Sequence, residues 1–241
     1  MNKINNIEIK PLNKFKTKLR TIQEPLPDPY AEQPFLWLIS AKVASGKSVL
    51  ISNLLRNIYF RYFDRVYFCS SNIKGSEIYD IAYKSIQIPE NRLYDDFNED
   101  IMMKIKEDIE EDEDFEDSQY LLVIDDLPVN LNKRVSKITK TMIKHRHIHL
   151  SIIITTQKLN LLNLSLRNNC SHLVVFKTNN KNERDSLSSM VEIDEDEFLN
   201  TLDYATREKF NFLYVDLSKN PTQFYQNFNY LLDSKNLMNL D

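Results

Sequence analysis

The chain has 241 residues, 42% hydrophobic and 11% aromatic, enough to close one α/β domain around a sizeable core and too apolar for a disordered chain. No apolar stretch approaches the ~20 residues of a membrane span, and Met1–Asn6 lack the apolar centre of a signal peptide, so neither is expected. The net charge of −4 hides a division: residues 107–117 hold nine acids and no base, and without them the remainder carries +5.

Residues 1–34 carry Lys3, Lys10, Lys14, Lys16, Lys18 and Arg20, then Pro25, Pro27, Pro29 and Pro34. They read as a basic arm and a proline-rich link, with at most a short strand near Ile7–Ile9. From 35 to 216 the pattern alternates. Strands are predicted at 35–40, 65–70, 120–125, 150–155, 172–176 and 210–216. Helices are predicted at 46–60, 76–84, 98–110, 133–145, 160–168, 181–190 and 195–207. Such alternation predicts a mostly parallel sheet with helices on both faces, and residues 217–241 read as a C-terminal extension. The acidic run at 107–117 reads as a solvated, partly disordered loop, or as a segment that repels or mimics nucleic acid. Cys69 and Cys170 match no metal or redox spacing, which suggests a reducing compartment. His145, His147 and His149 alternate with no cysteine nearby, which favours a structural or surface role over a metal site.

Only two glycines occur, and one of them opens the most informative motif. The apolar run from Phe35 to Ser40 is followed by Ala41, Lys42, Val43, Ala44, Ser45, Gly46, Lys47 and Ser48, and Val49 begins an apolar helical pattern. This is the strand–loop–helix of a phosphate-binding loop, in which backbone N–H groups and the helix N-terminus face the phosphates. Lys47 is then expected on the β- and γ-phosphates, and the Ser48 hydroxyl on Mg²⁺. Ala41 stands where the consensus has its first glycine; if that position needs a positive φ, the Cβ costs about 1–2 kcal/mol.

Two further strands deliver polar ends. The run Tyr120-Leu-Leu-Val-Ile-Asp125-Asp126 suits a buried central strand with two acids at its carboxyl end, where open α/β sheets bind ligands. Asp125 is expected to hold Mg²⁺, and Asp126 to orient or deprotonate the attacking water. The run Ser151-Ile-Ile-Ile-Thr155-Thr156-Gln157 repeats the pattern. If it lies between the phosphate-loop strand and 120–125, Gln157 faces the γ-phosphate.

Taken in order, the A-x-x-x-x-G-K-S loop, the Asp-Asp strand, Arg146-His147 before a strand and the Thr-Thr-Gln strand end resemble the FtsK–HerA superfamily of P-loop ATPases. Within it, they resemble the genome-packaging ATPases of large nucleocytoplasmic DNA viruses and virophages, as does the segment from Leu166 to Lys177. The likeness covers roughly residues 31–180 and departs at Ala41 and at Asp126, where many relatives carry Glu. It implies an additional-strand P-loop NTPase with core strand order 5-1-4-3-2, assembly into a homo-oligomeric ring of five or six subunits, and an arginine finger from the neighbouring subunit. Arg146 and Arg167 are the two candidates, although either can instead pair with an acid of its own subunit.

Lys133, Lys137, Lys140 and Lys144 share one helical face, opposite Val135, Ile138 and Met142. That face is a solvated surface, a track for the backbone of double-stranded DNA or a subunit contact. The resemblance implies an ATP- and Mg²⁺-dependent motor that moves double-stranded DNA into a capsid. Its partner is then a capsid or portal-vertex protein, and its location the viral factory in the host cytoplasm and the virion. Two alternatives stay open. A small-molecule kinase is disfavoured by the acid after Asp125 and by the lack of an arginine-rich lid segment. A non-catalytic nucleotide-binding or capsid-docking protein is motivated by the missing first glycine.

Overall fold

The computed structural model describes residues 2–3, 26, 28–31, 34–73, 75–126 and 136–237, with backbone only for the first two. Its strands are β1 (Asn2–Lys3), β2 (Leu36–Ser40), β3 (Arg65–Ser70), β4 (Leu93–Tyr94), β5 (Tyr120–Asp125), β6 (Leu150–Thr156), β7 (His172–Phe176), β8 (Phe212–Asp216), β9 (Gln223–Gln226) and β10 (Tyr230–Leu232). The helices are α1 (Lys47–Asn53), α2 (Glu77–Ile86), α3 (Glu99–Glu110), α4 (Lys137–Ile143), α5 (Leu164–Asn168), α6 (Lys181–Ser188), α7 (Glu195–Ala205) and α8 (Ser234–Leu237).

One ten-stranded sheet carries them all, in the order β1-β10-β9-β8-β7-β2-β6-β5-β3-β4. Its middle, β7-β2-β6-β5-β3, is parallel throughout and reproduces the expected 5-1-4-3-2. The sheet extends beyond that core with a short parallel β4 at one edge and antiparallel β8, β9, β10 and β1 at the other. β2, β5, β6 and β7 are buried along their whole length, which explains their continuous apolar runs: both faces are covered. Alternation along β2 divides the core. Leu36 and Leu38 join the cluster under α3–α7, while Trp37 and Ile39 join the cluster under α1 and α2. Leu26, Tyr30 and Ala31 from the proline-rich link pack into that second cluster, and the Tyr214 hydroxyl donates to the Pro29 carbonyl (2.7 Å).

Local chemistry shifts several boundaries. The helix at 46–60 runs as α1 and then relaxes into a π-helical turn at Leu54–Ile58. The expected 133–145 helix begins at Lys137, because the Ser136 hydroxyl caps it by accepting from the Thr139 amide. It gives way to a 3₁₀ turn at His145–Ile148, and residues 133–135 lie outside the described residues. The 160–168 helix is split into a 3₁₀ turn and α5, since Asn163 caps from the middle by accepting from the Leu166 amide at 2.9 Å. The strand expected from 210 starts at 212, after Phe210 in the left-handed region (φ +68°). Ile7–Ile9 and the basic residues of the arm from Lys10 to Arg20 lie outside the described residues.

The acidic run is solvated as expected, with seven of its nine acids exposed, but it has regular structure. It completes α3 and the turns after it, and its two half-buried acids are paired. Asp108 and Asp112 ion-pair with Arg65 (3.2 and 2.7 Å), Arg92 reaches Asp108 at 3.3 Å, and the Tyr120 hydroxyl donates to Asp112 at 2.8 Å. The bases come from distant segments and are invisible in the local composition. His145 and His149 turn their Nδ1 atoms to backbone carbonyls of Leu150, Phe115 and Ser118, and the His149 ring stacks on Phe115. Among the described residues no helix is long and apolar enough to cross a membrane.

Candidate active site

β2 ends at Ser40 in the middle of the sheet, between β6 and β7, and the loop that follows lies at the carboxyl edge of the parallel strands. Its backbone is left-handed at Ala44 (φ +60°) and at Gly46 (φ +101°), which caps α1. Alternating conformations of this kind turn successive N–H groups into one concavity suited to an anion. Ala41 is not among the left-handed residues, is 3% exposed and donates its amide to the Thr156 carbonyl at 3.0 Å. A Cβ therefore costs nothing there. The strained non-glycine position is Ala44, and the residue that must lack a side chain is Gly46.

The expected site residues converge on this loop. β6 lies between β2 and β5, the condition on which the role of Gln157 depends. Lys47 is 8% exposed and ion-pairs with Asp126 Oδ2 at 2.5 Å, with Asp125 Oδ1 at 3.7 Å. Gln157 Nε2 donates to both Asp126 oxygens (3.1 and 3.0 Å). Asp126 leaves the strand in a left-handed conformation (φ +55°), and its amide donates to Thr155 Oγ1 at 3.0 Å. That hydroxyl in turn donates to Asp125 Oδ1 at 2.6 Å. Lys47 is thus neutralised by Asp126, and an anion entering the loop would compete with that carboxylate for the ammonium.

Sequence reasoning missed Tyr79. Its ring, on α2, packs against Phe68 with centroids 4.9 Å apart, and its hydroxyl donates to Asp125 Oδ2 at 2.5 Å. The pKa of this phenol is raised, first by burial and then by the Asp125 charge. Nothing local in the sequence announces this; only the rule that a buried tyrosine finds a partner points to it. Glu183 is a second omission. Buried on α6, it accepts from Ser40 Oγ (2.8 Å) and from the Leu159 amide (3.1 Å), tying the loop's strand to the segment after Gln157.

The two arginines stand apart. Arg146 lies in the turn before β6 and Arg167 in α5 before β7, at the edge opposite their own phosphate loop. Arg146 is exposed, whereas Arg167 is half-buried in a cleft of about 1240 Å³ that Glu192, Glu197 and Lys219 also line. No residue of the phosphate loop lines that cleft. Lys137, Lys140 and Lys144 are exposed while Ile138 and Met142 are buried, and Lys133 lies outside the described residues.

A loop of this form, with its lysine, paired acids and glutamine at one sheet edge, invites comparison with known proteins. The model of the Poxvirus A32 protein family matches residues 28–217. The chain belongs to that family. The A32-family chain has the fold of FtsK–HerA-like P-loop ATPases. It is similar to the crystal structure of B204, the DNA-packaging ATPase from Sulfolobus turreted icosahedral virus, with TM-score 0.62 and 18% identity over 81% of this chain and 98% of that one. The structure of B204 from Sulfolobus turreted icosahedral virus 2 with AMP gives TM-score 0.58 and 20% identity over 80% and 96%. The pCW3 conjugation coupling protein TcpA, solved with ATPγS, gives TM-score 0.52 and 12% identity over 86% and 64%. No curated protein sequence matches.

Proposed function

We propose that this A32-family chain is an ATP-hydrolysing motor that drives double-stranded DNA into a viral capsid. The observation that carries the reading is the convergence of Lys47, Asp125, Asp126 and Gln157 on a loop with anion-binding backbone at the centre of the sheet. Lys47 binds the β- and γ-phosphates. Asp126, released from Lys47 and still held by Gln157, accepts a proton from the attacking water, and Gln157 orients that water. The β–γ phosphoanhydride is broken, and the products are ADP and phosphate.

The donor set suits Mg²⁺, a hard cation that takes one or two carboxylates beside phosphate and water oxygens. Asp125 is 2% exposed and accepts from the hydroxyls of Thr155 and Tyr79, with Lys47 further off. Asp125 ends β5 and Ser48 follows Lys47, which reaches Asp125 at 3.7 Å, so a carboxylate and an alcohol oxygen border the same loop. They are the residues that would hold the ion, and it would neutralise charge on the phosphate oxygens. Among the described residues no cluster of three or more His, Cys, Asp or Glu offers an all-protein metal site.

In this reading the subunits form a ring of five or six, and Arg146 or Arg167 reaches the neighbour's site. Their position at the edge opposite their own loop supports a role in trans. DNA follows the exposed Lys137, Lys140 and Lys144, a capsid or portal-vertex protein anchors the ring, and the viral factory and the virion are where it acts. The non-catalytic alternative drew on Ala41, and the unstrained backbone there removes its motive. Phosphate release from Mg·ATP tests the hydrolytic core. The wild type should turn over, Lys47→Ala should not, and Asp126→Asn should bind nucleotide without turnover. Equal rates in all three would refute it.

A further inference from the structure

Gly46 has a neighbour that the hydrolytic site does not use. A Cβ built on Gly46 would meet the Phe210 ring at 3.4 Å and the Phe176 ring at 3.9 Å. Phe176, the last residue of β7, is 4% exposed and belongs to the core, whereas Phe210 is 56% exposed. Phe210 sits in the turn between α7 and β8. Because β8 runs antiparallel to β7 and pairs Phe212 with Phe176, that turn lies at the same edge as the phosphate loop.

The turn is held in place at a conformational cost. Phe210 has φ +68°, a value a bulky residue adopts only where its surroundings impose it. Asn227, in the β9–β10 turn, clamps the segment. Its Oδ1 accepts from the Phe212 amide (2.9 Å), its Nδ2 donates to Asn211 Oδ1 (2.7 Å), and its own amide donates to the Phe212 carbonyl (3.2 Å). Lys209 Nζ lies 4.7 Å from the centroid of the exposed ring, a cation–π contact. An apolar ring in a strained, braced turn, beside the glycine that approaches phosphate and still largely in water, contributes little to the core.

We infer that Phe210 is the stacking platform for the base of the bound nucleotide. The inference rests on the phosphate-loop reading of residues 41–48. Phosphates seated against Gly46 leave the base one ribose beyond the α-phosphate, and the Phe210 ring lies 3.4 Å from where a Cβ on that glycine would stand. A flat, exposed π-face is what a purine takes up, without discriminating strongly between bases. Lys209 lies over one face of the ring and sets a positive charge beside the platform.

The test compares ATP with inorganic tripolyphosphate, which has the charge and no base, by equilibrium titration of the full chain with Mg²⁺. Phe210→Ala should weaken ATP about 5- to 150-fold, the range for one lost base–aromatic stack. Tripolyphosphate affinity should stay within about twofold, and Phe210→Trp should retain ATP affinity. Since Ala keeps the same left-handed strain and Phe210 is exposed, the fold should survive, as a thermal melt will show. Unchanged ATP affinity in Phe210→Ala overturns the inference. So does an equal loss for ATP and tripolyphosphate, which would mean that the ring shapes the loop, or intact ATP binding with a dissociated oligomer by light scattering, which would make it a subunit contact. A wild type that binds neither probe would remove the phosphate-loop reading and the platform with it.

Discussion

Tyr79→Phe removes one hydroxyl and leaves the packing against Phe68 in place. Asp125 then loses the donor on Oδ2 and keeps Thr155 on Oδ1. At 2% exposure little water can replace the lost partner. A hydrogen bond to a charged group contributes about 1.5–3 kcal/mol, so denaturant unfolding should show a loss of that order with an unchanged slope. The functional effect comes through Asp125, the carboxylate that would hold Mg²⁺ and that this hydroxyl orients. Loss of a partner that orients metal ligands costs about 10–100-fold in affinity or activity. The half-saturating Mg²⁺ for ATP hydrolysis should therefore rise by that factor while the rate at saturating Mg²⁺ falls less. If Tyr79→Phe leaves the Mg²⁺ dependence unchanged, Tyr79 is only a core residue. A tighter Mg²⁺ site would mean that its hydroxyl competes with the ion, and the orienting role would be refuted.

Other perturbations separate the remaining roles. Asp126→Asn should keep ATP affinity within a few-fold and lose single-turnover hydrolysis, since the carboxylate acts in the attack step; wild-type turnover would remove it from that step. Ala41→Gly should lower stability by about 0.4–1 kcal/mol in a denaturant melt, because its backbone is already compatible with a side chain, and should leave hydrolysis intact. Replacing Lys137 and Lys140 together by Gln should weaken duplex DNA binding evenly across sequences and flatten the log–log salt slope by up to about 2, with basal hydrolysis unchanged. Mixing an Arg146→Ala or Arg167→Ala chain with Lys47→Ala should recover activity if the finger works in trans; no recovery in properly mixed rings for either arginine would exclude it.

What is legible in the sequence is what a short window encodes. The Gly46-Lys47-Ser48 loop, the four apolar residues before Asp125 and the β-branched run before Gln157 each carry strand and chemistry within ten residues, and the fold brings them to one edge. Contacts set by topology are not legible. Tyr79 lies 46 residues from Asp125, and Arg65 lies more than 40 residues from the acids it neutralises. β9 and β10 escape a sequence reading because runs of four and three residues are too short to show the apolar continuity of the central strands. Ala41 misleads for a related reason: sequence shows which residue is missing, and only the backbone shows whether the glycine was needed.

The central claim couples hydrolysis to movement along duplex DNA, and displacement of a triplex-forming oligonucleotide from a linear duplex reads that coupling directly. With Mg·ATP the wild-type chain should release the oligonucleotide. With a non-hydrolysable analogue, or with Lys47→Ala, it should not. Steady ATP turnover in the presence of the duplex without release of the third strand would contradict the motor reading and leave an ATPase that does not translocate.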